Sequence, residues 1–308
     1  RCLSDWSSDV CSSDLRAEYV DWRTKGFWQP GPAVPAAEVA AARPHLFGGA
    51  FTWPLLVARR AAIEHNIRTM AEFCARHDLA FAPHGKTTMA PTLLDAQLAA
   101  GAWAITAATA NQVLACRAFG VPRVLLANQL LDPVPLRWAA GEVARGFEFL
   151  LQVDSGYGVR AITDALADQP AGTALRVLIE LGHPGGRTGV REVAEAVELG
   201  RAVHAAPGVE LVGVTGYEGG LPDTAAVLGF LDRLRDAARA LSTAGLLPAE
   251  VLVSAGGSAY FDQVAEAISG PWPAGLPVVP VLRSGGYLLH DDGFYRVRSP
   301  FSRPHRLA

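Results

Sequence analysis

The sequence predicts an α/β fold, a (β/α)8 barrel of the TIM type, and three observations carry that prediction. From residue 50 onward, short β-branched or apolar runs alternate with amphipathic stretches, which is the pattern of βα units around a parallel sheet. Eight such runs can be counted. No Gly-x-Gly-x-x-Gly follows an early strand, so the main rival, an open doubly wound sheet, lacks its dinucleotide fingerprint.

Taken in order, an apolar run at 53–58 reads as a lead-in strand and 61–77 as a helix. The eight barrel strands are expected at 79–83, 103–107, 123–127, 147–154, 175–181, 209–215, 250–254 and 278–282. Helices are expected between them at 91–100, 110–119, 135–145, 159–167, 190–205, 224–244 and 261–268. A barrel of about 250 residues fills most of the 308 present. The organisation expected is an N-terminal arm at 16–50, the barrel with its lead-in strand at 51–284, and a C-terminal segment at 285–308. Residues 1–15 repeat Ser-Ser-Asp without helical or strand periodicity. They resemble translated sequencing adaptor and are set apart from the fold. They also lack the apolar core of about 7–15 residues that a signal peptide needs.

Composition narrows the function classes. Half the residues are hydrophobic and 19% are charged, as in globular proteins. A net charge of −3 without a basic cluster argues against a nucleic-acid partner. No apolar run approaches the ~20 residues that span a bilayer, so no membrane partner is expected and the location expected is cytoplasmic. With residues 1–15 set apart, the cysteines left are Cys74 and Cys116, both in apolar helical patterns. They read as buried thiols, and they form no disulfide framework or zinc motif.

In a barrel of this type, chemistry sits where the strands end, and these ends are polar. They include His84-Gly85-Lys86-Thr87, Asn128-Gln129, Asp154-Ser155, Gly182-His183, Tyr217-Glu218, Ser254-Ala255-Gly256-Gly257-Ser258 and Arg283-Ser284-Gly285-Gly286-Tyr287. Lys86 stands out because only Lys25 and Lys86 are lysines among 27 Lys plus Arg. Where arginine is the habit, a lysine at a strand end points to a task guanidinium cannot perform, such as losing its proton to form an imine. A solvated loop lysine is the bland alternative. The two glycine-rich turns after the last two strands oppose it, since backbone N–H groups in such turns can cradle a phosphate and barrels commonly place phosphate there.

The stretch Ala82-Pro83-His84-Gly85-Lys86-Thr87-Thr88-Met89 resembles the lysine motif of fold-type-III pyridoxal-phosphate enzymes, in particular the D-serine dehydratase and D-threonine aldolase branch of the alanine racemase N-terminal domain superfamily. Ile63-Glu64-His65-Asn66-Ile67 and Arg187-Thr188-Gly189-Val190 resemble further segments of that family, and the likeness covers about residues 50–298. It implies that Lys86 is the Schiff-base lysine and the base on one face of pyridoxal 5'-phosphate. Arg187 would lie near the ring, Tyr217 beside it, and Gly256, Gly257, Ser258, Gly285 and Tyr287 around the phosphate, with Ser254 a further cofactor-binding residue. His84, Asn128 and Gln129 are weaker candidates. His84 is expected on the same side as Lys86 if extended geometry persists between them, while His183 and Asp154 are explained as well by turn formation and helix capping.

The activity implied is deamination by dehydration of a D-serine-like D-amino acid to a 2-oxo acid and ammonia, with D-threonine-type aldol cleavage as the alternative and non-catalytic cofactor carriage as a rival of another class. An unrelated barrel hydrolase would want paired carboxylates at strand ends, for which only Asp154 and Glu218 qualify. The resemblance further implies that 285–308 is the start of a C-terminal β domain, most of which is absent, and it implies a homodimer and a divalent metal, zinc or a related ion, held in that domain beyond Leu289-His290-Asp291-Asp292-Gly293. No metal ligands are therefore expected in this chain.

Overall fold

A computed structural model describes residues 19–170, 172–272, 276–291 and 293–302. The adaptor-like residues 1–15 lie outside the described residues. The chain divides into two compact units, one of Arg1–Arg60 with Ala118–Gly120, the other of Ala61–Arg117 with Val121–Ala308.

In the first unit, β1 (Tyr19–Val20) pairs antiparallel with β2 (Val34–Pro35), and α1 (Ala36–Ala42) follows. The Phe47 and Trp53 rings stack 5.3 Å apart. The lead-in strand expected at 53–58 does not form. Phe51 makes an isolated bridge to Phe27, and no ladder follows it. A strand needs a neighbour to take its N–H and C=O groups, Pro54 has no N–H to offer, and Leu56 is 99% exposed.

The second unit is the barrel. α2 (Arg60–Arg76) precedes β3 (Ala80–Phe81), and the units β4 (Ile105–Ala107), β5 (Arg123–Leu126), β6 (Glu148–Val153), β7 (Leu175–Leu181), β8 (Val209–Gly216), β9 (Val251–Ala255) and β10 (Val278–Leu282) follow. Between them run α3 (Pro91–Ala99), α4 (Ala110–Ala118), α5 (Pro133–Ala144), α6 (Gly156–Leu166), α7 (Val193–Ala205), α8 (Thr224–Thr243) and α9 (Phe261–Ser269). All eight expected barrel strands are present. Local chemistry starts several helices. Asp132 accepts from Val134 N ahead of Pro133, and Ser155 and Asp223 cap α6 and α8 in the same way.

The eight strands form one parallel sheet in the order β3-β10-β9-β8-β7-β6-β5-β4. Its two ends meet. Trp103 N donates to Phe81 O at 2.7 Å, Thr106 N donates to Pro83 O at 2.9 Å, and His84 bridges Thr106 in parallel. Closure removes both sheet edges. Ala82, Ala104, Leu125, Leu150, Leu178, Val212, Leu252 and Val281 fill the interior, so each strand or its flank supplies one apolar side chain to the core. Beyond β10, the described residues form turns and a 3-10 turn at Pro300–Ser302, with no strand. Phe301 packs there against Phe261 and Phe73.

This packing makes a contrast that urea denaturation can check. Leu178→Ala empties part of the central layer, where Leu178 is 0% exposed, and is expected to cost ~2–5 kcal/mol. Leu56→Ala removes an exposed side chain and should change stability by less than ~0.5 kcal/mol.

Candidate active site

Because the strands are parallel and the barrel is closed, their C-terminal ends surround a single mouth. A cavity of about 430 Å³ opens there, lined by His84, Lys86, Thr87, Ala108, Ala127, Asn128, Gln152, Glu180, Arg187, Thr188, Tyr217, Gly256, Gly257, Ser258, Arg283, Gly285, Gly286 and Tyr295. Its size is that of a small-molecule site.

Lys86 is held on a 3-10 turn, Gly85–Thr87, that starts directly after His84. The extended geometry expected from His84 to Lys86 is therefore broken, yet both side chains line the cavity. The turn packs closely at the buried Gly85, where a Cβ would lie 3.0 Å from the Ile105 side chain and 3.1 Å from that of Leu94. Burial, then the nearby Arg187 and Arg283 charges, lower the Lys86 pKa below the ordinary lysine value. Burial, with Lys86 and Arg283 close by, also lowers the His84 pKa to about 3, so its imidazole is neutral.

The rest of the lining carries the other charges. Arg187 lies over the Tyr217 ring at 5.8 Å. Its loop is fixed by Gly189, at φ +90°, where a Cβ would lie 2.3 Å from Gly182 N, and by Gly189 N donating to Asp154 Oδ2 at 2.9 Å. Asp154 is thus a loop anchor. His183 Nδ1 sits 3.0 Å from Pro184 O, and neither residue lines the cavity.

Glu180, 7% exposed, accepts from Thr188 Oγ1 at 2.9 Å and from Gln129 Nε2 at 2.7 Å. Burial raises its pKa. Arg283, 6% exposed, donates through Nη2 to Gly216 O, and burial lowers its pKa. Two buried nitrogens, His84 Nδ1 and Arg283 Nε, have no hydrogen-bond partner. Buried polar atoms are normally paired, so two orphans on residues that line one cavity mark a place where a ligand's polar atoms fit.

Several expected site residues are placed otherwise. Ser254 is buried in β9 and donates to Val281 O at 3.1 Å, away from the cavity. The Tyr287 side chain is buried behind β3, its hydroxyl donating to Gln97 Oε1 at 2.8 Å and its ring edge-on to Phe81. It lines a separate cavity with Cys74 and Gln97. Gly256 and Gly257 do line the site, but their N–H groups donate to Glu218 at 3.1 and 2.6 Å and so do not face the opening. Gln129 stands behind Glu180, and Asn128 lines the cavity while donating to Ala108 O at 3.1 Å. Ser258 and Gly285 line it as well, and a Cβ on Gly285 would lie 2.6 Å from His84 O.

Glu180, Arg283, Gln152, Thr188, Gly286 and Tyr295 were not among the expected site residues. For Glu180 and Arg283 a signal existed, a charge inside or directly after an apolar strand. Tyr295 comes from distant chain and carried none. Among the described residues no group of three or more His, Cys, Asp or Glu is placed to hold a metal ion, and no helix is long and apolar enough to cross a membrane.

Comparison with known proteins agrees with this architecture. D-threonine aldolase of an Arthrobacter species is 29% identical over 277 residues, 88% of this chain and 67% of that protein. D-threo-3-hydroxyaspartate dehydratase of Delftia sp. (strain HT23) is 31% identical over 202 residues, 63% of this chain and 52% of the relative. The crystal structure of D-threonine aldolase from Filomicrobium marinum superposes with a TM-score of 0.68 at 25% identity, covering 81% of this chain and 65% of that one. The chain thus spans between 52% and 67% of these relatives. The profile of the alanine racemase N-terminal domain matches residues 59–268, and the chain belongs to that family.

Proposed function

We propose that this chain is the barrel of a pyridoxal-phosphate-dependent lyase that acts on D-β-hydroxy-amino acids, with Lys86 as the residue that holds the cofactor. The observation that carries this reading is a lysine on a cavity that two unpartnered buried nitrogens, His84 Nδ1 and Arg283 Nε, also border, with burial lowering the lysine pKa.

The residues present suit that cofactor. Lys86 Nζ is the amine for its carbonyl carbon. Tyr217, with Arg187 over its ring, forms a wall for the pyridine face. Ser258 and Gly285, on adjoining turns, are the groups for its phosphate, and the cationic Arg187 and Arg283 favour an anionic ligand. When bound, pyridoxal phosphate supplies an electron sink for the pair left at the substrate Cα. Lys86 Nζ, whose pKa burial and the neighbouring arginines lower, is the group able to take a proton there. Neutral His84 offers a single hydrogen bond from Nδ1, either given or received according to its tautomer, and Arg187 and Arg283 attract the substrate carboxylate. Glu180 is held in place by Thr188 and Gln129.

The divalent metal implied by the resemblance has no donor cluster among the described residues. We place the protein in the cytoplasm as a homodimer. The free buried thiols of Cys74 and Cys116 support a reducing compartment, and the dimer rests on the resemblance alone.

Two chemistries fit a D-β-hydroxy-amino acid. Dehydration removes the Cα proton and the β-hydroxyl as water, and the resulting enamine hydrolyses to a 2-oxo acid and ammonia. Aldol cleavage removes the hydroxyl proton and breaks Cα–Cβ, leaving an aldehyde and glycine. The dehydratase and aldolase relatives support one each, and dehydration is our leading reading.

Adding pyridoxal phosphate and then borohydride should leave a reduced adduct on the Lys86 peptide, read by mass, that Lys86→Ala abolishes. A folded protein with no adduct would overturn the cofactor assignment. With D-threonine, 2-oxobutanoate and ammonia are expected. Acetaldehyde and glycine would assign aldol cleavage instead, and a holoprotein that turns over neither D-threonine nor D-serine would favour the carrier reading.

The charge on Lys86 can be tested without the cofactor, through the pH dependence of its acetylation by acetic anhydride. Only the neutral amine reacts, so a lowered pKa moves the midpoint below that of an ordinary lysine. Arg187→Ala removes one cationic neighbour and should move the midpoint back up. A midpoint unaffected by the substitution would show that Arg187 does not act on Lys86.

A further inference from the structure

Glu218 follows β8 and is 0% exposed, an unfavourable place for a carboxylate unless both oxygens are satisfied. They are. Oε1 accepts from Gly257 N at 2.6 Å and Oε2 from Gly256 N at 3.1 Å. This two-point grip ties the loop after β8 to the glycine turn after β9, and leaves neither amide to meet a phosphate. The turn has little room to shift, because Gly256 is at φ +118° and a Cβ on Gly257 would already lie 3.0 Å from the Tyr217 ring.

The residue that follows the gripped pair is Ser258. Its Oγ accepts from Gly286 N at 2.8 Å and from Ser284 Oγ at 3.3 Å. A hydroxyl has two acceptor sites and one proton. Both acceptor sites are taken, so the Ser258 proton is left to donate, and Ser258 lines the cavity.

We propose that Glu218 is a positioning residue for the phosphate end of the cofactor. By occupying both glycine amides it sets the turn so that the Ser258 hydroxyl, in place of those amides, donates to the phosphate. This inference rests on the pyridoxal-phosphate reading above.

The test compares pyridoxal phosphate with pyridoxal, which keeps the carbonyl but lacks the phosphate. Affinity for each is measured by near-visible absorbance titration, with the Lys86 adduct trapped by borohydride, in the unmodified protein, Glu218→Gln, Ser258→Ala and the double variant. Glutamine keeps the shape of Glu218 but sets an NH2 against one glycine N–H.

Affinity for pyridoxal phosphate should fall about tenfold in Glu218→Gln, with pyridoxal affinity changed by less than about twofold. Ser258→Ala should show the same pattern. The double variant should be little worse than either single change, because both act on one contact.

Equal loss of both ligands, retention of both, or full additivity of the two changes would overturn the proposal. A Glu218→Gln protein that does not fold would assign Glu218 to the scaffold alone and overturn it too. If the unmodified protein forms an adduct with neither ligand, the cofactor reading falls and takes this inference with it. If it forms both and the variants keep its preference for the phosphate, only the inference falls.

Discussion

Everything at the cavity depends on closure of the parallel sheet. β3 and β4 are separated by six other strands in the ladder order, yet Trp103 N and Thr106 N donate across to Phe81 O and Pro83 O. Parallel strands in a closed ring bring their C-terminal ends to the same side, so groups from residue 84 to residue 286 share one cavity. The layer of apolar side chains from Ala82 to Val281 seals the barrel beneath it, which is what makes the mouth a pocket and excludes a pore.

That seal has an electrostatic consequence. Charged groups at the mouth are partly withdrawn from water, and burial is the leading cause of the shifts at Lys86, His84, Glu180, Glu218 and Arg283. The site meets the cost in two ways. The carboxylates are paired with neutral donors, Thr188 and Gln129 for Glu180 and the glycine amides for Glu218. The cations are left with less: Arg283 has one carbonyl partner for Nη2 and none for Nε. A cavity in which the Glu180 carboxyl is hydrogen-bonded and Arg283 Nε has no partner suits an anionic ligand.

The alternation of apolar runs and amphipathic helices was legible in sequence, since each barrel strand is a short apolar run bounded by turn residues and is buried on both faces. The lead-in strand at 53–58 was misread because apolar composition reports burial tendency, while a strand also needs a hydrogen-bonding neighbour, and none lies beside it among the described residues. Lys86 was legible by rarity, in a chain that uses arginine almost everywhere else.

The sequence by itself determined the barrel, the order of its strands along the chain and the candidate lysine, because periodicity and composition are local properties that survive without coordinates. Only the tertiary structure decided which polar residues near the strand ends face the cavity. Ser254 and Tyr287 have suitable chemistry and neighbouring positions, but their hydroxyls are claimed by Val281 O and Gln97 Oε1. Gly256 and Gly257 have the donors a phosphate needs, but Glu218 holds them. Glu180 and Arg283 enter the site because their strands end with those side chains turned towards the mouth. Direction and prior commitment of a polar group depend on register and on partners up to 190 residues distant, and those are set when the barrel closes.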